Sequence, residues 1–234
     1  MNGGRVAACV ALAALAAVAT GVVLAQGGQA GGRGRSVPPE VRAAAERGLA
    51  GLLGADGGRG LDRLGFKSRE EATGAVIGDG FQVYTVPPDL LAASESADVS
   101  SVAAPSTQWL FLVTSGGAPK SILTVDQVGG VWTAVSIGGA DMSEDVAALL
   151  ARWPASSYAH RFIRSNEAAS EVMEVSQGGR VLGAVPFRSA RVTLRARGRF
   201  DASDLRPTSE VSAMIRPAAK AAMDRRREAG GERR

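Results

Sequence analysis

Cysteine and histidine are nearly missing from this 234-residue chain: Cys9 lies in the N-terminal apolar run, and His160 is the single imidazole. Two such residues cannot build a Cys/His zinc site, a disulfide framework, or a thiol nucleophile beyond that run. Lysine is also scarce, with three against 24 arginines, a bias that mostly reflects GC-rich coding. Aromatic residues make up 5%, and there is no Asn-x-Ser/Thr sequon. The sequence contains no G-x-x-x-x-G-K-[ST] phosphate loop and no G-x-G-x-x-G between a strand and a helix. It also lacks H-E-x-x-H, G-x-S-x-G and S-x-x-K, which excludes the common metalloprotease, hydrolase-elbow and penicillin-binding signatures. Nothing in it calls for a cofactor.

What is present belongs to a globular protein. Hydrophobic residues are 45% and charged residues 21%, and 30 glycines with 10 prolines stay below the low-complexity range. Residues 6–25, VAACVALAALAAVATGVVLA, carry no charge and follow Arg5. The run reads as an export segment. Small residues at Val23 and Ala25 suit cleavage before Gln26, while the length also suits an uncleaved signal anchor that spans a bilayer. Cys9 sits too early for a lipoprotein. Residues 26–37 are a Gly-rich spacer, residues 38–200 a single domain, and residues 201–234 a basic helical tail. A cysteine-free exported chain of this size buries enough surface without disulfides and is more typical of bacteria.

Charge is unevenly placed. Residues 37–179 hold 10 Lys/Arg against 17 Asp/Glu, a net of −7, whereas residues 180–234 hold 14 against 6, a net of +8. The basic quarter either attracts an anionic partner or matches the acidic body internally.

The periodicity predicts an α+β fold with a mainly antiparallel sheet of about seven or eight strands and N-terminal, central and C-terminal helices. Pro38-Pro39-Glu40 opens the first helix, whose stripe runs from Val41 to Leu53. Ser68 to Glu71 has capping-box spacing, and so does Asp141 with Glu144 at the start of the central helix. Predicted strands are 81–86, 109–113, 122–125, 131–137, 158–163, 170–175, 181–185 and 191–197, with Gly-Gly hairpins at 129–130 and 178–179. Residues 90–106 read as a long Ser/Ala loop, and 209–227 as a helix interrupted at Pro217. Element order alone does not choose between a cystatin-like and a profilin-like arrangement.

Four groups of residues could carry function. His160 could act as a general base beside a serine and an acid, or sit against Tyr158 and Phe162 as a packed residue. Asp141, Glu144 and Asp145, like Glu167, Glu171 and Glu174, could serve acid/base work or bind a cation, but the first group suits a helix start and the second a solvated strand edge. Trp109, Trp132 and Trp153 could form a sugar platform, although apolar neighbours favour core packing. Finally, Arg191, Arg195 and Arg197 alternate with apolar residues, flanked by Arg188 and Arg199 and followed by Arg225, Arg226 and Arg227. As one sheet face they would form an anion-binding track; as an edge strand they would block unwanted pairing. Few aromatic residues lie nearby, which argues against nucleic acid.

These features point to an exported, non-catalytic binding or accessory module of the bacterial cell envelope. Its partner would be a protein or an anionic envelope polymer, with membrane contact through residues 6–25 if these are retained. The alternatives are a hydrolase using His160, and an inhibitor or propeptide-like module that adds a strand to a partner's sheet edge.

Overall fold

The computed structural model describes residues 36–54, 60–193 and 199–231; the apolar run, nearly all of the spacer, Arg195 and Arg197 lie outside them. Helix α1 (Pro39–Gly54) leads through a short 3₁₀ turn (Leu61–Leu64) to α2 (Arg69–Thr73). The Ser68 hydroxyl caps α2 by accepting from the Glu71 N–H at 3.2 Å, as the spacing predicts. The Glu71 carboxylate returns to the Lys67 N–H rather than to that of Ser68.

The remaining order is β1 (Ala75–Thr85), α3 (Pro88–Ala92), α4 (Val99–Val102), β2 (Ala104–Ser115), β3 (Ala118–Val128), β4 (Val131–Gly138) and α5 (Ala140–Arg152). After these come β5 (Ala159–Ser165), β6 (Ser170–Gln177), β7 (Arg180–Pro186), α6 (Arg188–Thr193) and α7 (Thr208–Gly231). The seven strands form one sheet in the order β4-β3-β2-β1-β5-β6-β7. All neighbours are antiparallel except β1 and β5, which pair in parallel over Val83–Thr85 and Phe162–Arg164. This is the predicted α+β class.

Strand β2 shows why the sheet sits between helices. Its run Trp109-Leu110-Phe111-Leu112-Val113 is apolar throughout because both faces are covered. Leu110 and Leu112 join Phe81, Phe162, Met173 and Val185 in a core beneath Val146 and Leu149 of α5. Trp109, Phe111 and Val113 turn the other way, onto Val41, Ala45 and Leu49 of α1. On that second face, the β5–β7 half is covered instead by Leu91, Val99, Ala190, Val211 and Ile215 from α3, α4, α6 and α7.

Several expectations change. Strand β1 begins at Ala75, not at residue 81, and runs through Gly78 and Gly80. A side chain at Gly80 would meet the Phe111 ring at 2.6 Å, so the glycines here permit close strand approach at a bulge instead of ending the strand. The supposed loop at 90–106 holds α3, α4 and the start of β2; Asp98 caps α4 by accepting from the Ser100 N–H at 2.8 Å. Asp141 does not cap α5. Gly139 occupies that position without a side-chain bond, and Asp141 lies in the first turn. Helix α7 continues through Pro217. The proline costs about 3 kcal/mol, yet Val211 and Ile215 before it and Ala219 and Ala222 after it are all buried and hold both halves in line.

Candidate functional site

Where it is described, the arginine track is helix and not strand. Residues 188–193 form α6, and the Arg191 N–H donates to the Phe187 carbonyl at 3.0 Å in a helical turn. The cause lies 43 residues away. The buried Asp145 carboxylate accepts the Arg188 backbone N–H at 2.9 Å and so caps α6 from across the fold. The Arg188 guanidinium meets Asp145 at 3.1 Å, Asp141 at 3.3 Å and Glu144 at 3.5 Å. Burial pushes the Asp145 carboxyl up; the Arg188 N–H and charge pull it part of the way back.

The other predicted cations separate. Arg191 is buried and ion-paired with Asp204, while Arg206 brackets the same carboxylate at 3.1 Å and Glu210 at 2.9 Å. On α7, Arg226 meets Glu167 at 3.1 Å, and Arg227 lies 3.8 Å from Asp224. Arg199 and Arg225 are exposed. Two cations that were not singled out carry more structural weight. Arg216 is buried and donates to the Leu91 carbonyl at 3.3 Å and the Ala97 carbonyl at 2.7 Å, with Glu95 at 3.3 Å. Lys220 also reaches Glu95, at 2.5 Å. No local pattern marks Arg216, because its partners lie more than 100 residues away.

The three glutamates are not a solvated edge, because β6 lies between β5 and β7. Glu174 is 3% exposed and pairs with Arg161 at 2.8 Å. Arg161 lies 4.8 Å from the centre of the Tyr84 ring and donates to the Ser100 carbonyl at 2.7 Å. Glu171 pairs with Arg164 at 2.8 Å. The three tryptophans pack in the cores: Trp109 and Trp132 face α1, and Trp153 lies with the α5 core. They form no common platform.

His160 lies in β5, 8% exposed, with its ring edge-on to Phe81 at 6.2 Å. Its Nε2 has no hydrogen-bond partner among the described residues. Burial holds the imidazole below the usual histidine range, countered in part by the Trp153 backbone and the Asp79 charge. Between that lowered value and about 6.5, the unfolded chain binds a proton that the folded chain refuses. Stability therefore falls as pH drops below about 6.5. A His160→Gln protein should show a flatter decline than the wild type in urea unfolding between about pH 7 and 5. An equal slope in both would remove His160 as the source.

A cavity of about 570 Å³ lies between α1 and α2, lined by Leu49, Leu53, Leu61 and Ala72 together with Glu46 and Arg69. The Thr73 hydroxyl on its wall is spent on the Arg69 carbonyl at 2.9 Å. No cluster of metal-ligating side chains occurs among the described residues, and none of their helices is long and apolar enough to cross a membrane.

The sheet edges differ. On β7, the Ala184 N–H donates to the Arg206 carbonyl at 2.8 Å and the Arg206 N–H donates back at 3.0 Å, so this edge is partly covered. On β4, no described residue pairs with the outer edge. Comparison with protein-family models, with curated proteins and with solved structures found no match.

Proposed function

We propose that the chain is an exported, non-catalytic binding module of the bacterial cell envelope, and that its partner is a protein rather than an anionic polymer. One observation carries the choice of partner: among the described residues, most cations of the basic quarter are matched within the fold. Arg188, Arg191, Arg206, Arg216, Lys220 and Arg226 all meet carboxylates of the same chain. A polymer track needs cations that are free to meet phosphates or carboxylates outside the molecule. Export rests on the uncharged run at residues 6–25 and the spacer after it.

The test is co-sedimentation of residues 26–234 with purified bacterial envelope at ~0.05 and ~0.5 M salt. A charge-reversed protein, Arg225→Glu with Arg227→Glu, runs beside it. Both substitutions fall on exposed positions of α7. The expected result is binding that survives salt and charge reversal and disappears when the envelope is first digested with protease. A fall of about tenfold in either condition would return the basic quarter to the role of an anionic-surface anchor. No binding under any condition would end the envelope reading.

A further inference from the structure

We draw no further inference here: the strongest candidate, the uncharged outer edge of β4 with its exposed Val131 and Val135, carries nothing because nothing in the structure shows what covers it.

Discussion

A chain that stops after Leu205 is expected not to fold. The residues beyond it look detachable by composition, yet α7 closes a core. Val211 and Ile215 are 0% and 1% exposed, each worth about 1.5–3 kcal/mol of burial. Removing the helix also uncovers Val86, Leu91, Val99, Ile163, Val172 and Ala184, which share that cluster. It deletes polar ties as well, among them Thr208 to Asp98 at 2.9 Å, the Ser212 hydroxyl that accepts from the Val99 N–H at 2.8 Å, and Arg216 on the Ala97 carbonyl. The loss is on the order of 10 kcal/mol, comparable to the whole stability of an ordinary domain. The truncated chain should aggregate on expression and show no cooperative urea transition. Ile215→Ala should remain folded and lose about 2–5 kcal/mol. A soluble truncated chain with a cooperative transition would show that α7 is an accessory.

Replacing Arg161 by methionine should cost about 2–4 kcal/mol at neutral pH, measured by urea unfolding, because it strands Glu174. The range sits below that of a fully enclosed pair, since the Arg161 side chain is 25% exposed. Burial pushes the Glu174 carboxyl above the usual glutamate range; the Ser100 hydrogen bond and the Arg161 charge oppose that push. A carboxyl raised in the folded state binds its proton more tightly there than in the unfolded chain. Its contribution is therefore most favourable below about 4.5 and is lost as pH rises through the folded value. Without Arg161 that value climbs further, so the penalty in Arg161→Met should shrink between about pH 7 and 5. A second change, Glu174→Leu, should recover most of the loss. A penalty that is independent of pH and unrelieved by Glu174→Leu would mean that Arg161 acts through its packing on Tyr84 instead of through charge.

Local signals were readable wherever one short segment decides the outcome. The glycine pairs at 129–130 and 178–179 hold positive φ and close hairpins, as their sequence predicts. The uninterrupted apolar run of β2 announced burial on two faces. Strand β1 was half hidden because its glycines, read as punctuation, are there for close approach to β2. Helix α6 is hidden from a local pattern because alternating arginines also suit a strand, while the carboxylate that caps the helix sits on α5. Of the anion-binding candidates, Arg188, Arg191 and Arg226 are occupied by carboxylates of the fold, an outcome that no spacing within residues 188–227 encodes.

By itself, then, the sequence determined the α+β class, the hairpins, the three long helices and an acidic body with a basic end. Tertiary structure decided that β5 enters beside β1 in parallel, that α7 is core, and that Arg206 pairs with the β7 edge. The division has a physical cause. Turn, cap and periodicity signals act over a few residues, where the chain's own geometry fixes who meets whom. The ion pairs that engage the described cations of the basic quarter join residues as far apart as Arg188 and Asp145, or Arg216 and Glu95, 121 positions apart. Their existence depends on how the sheet and helices pack.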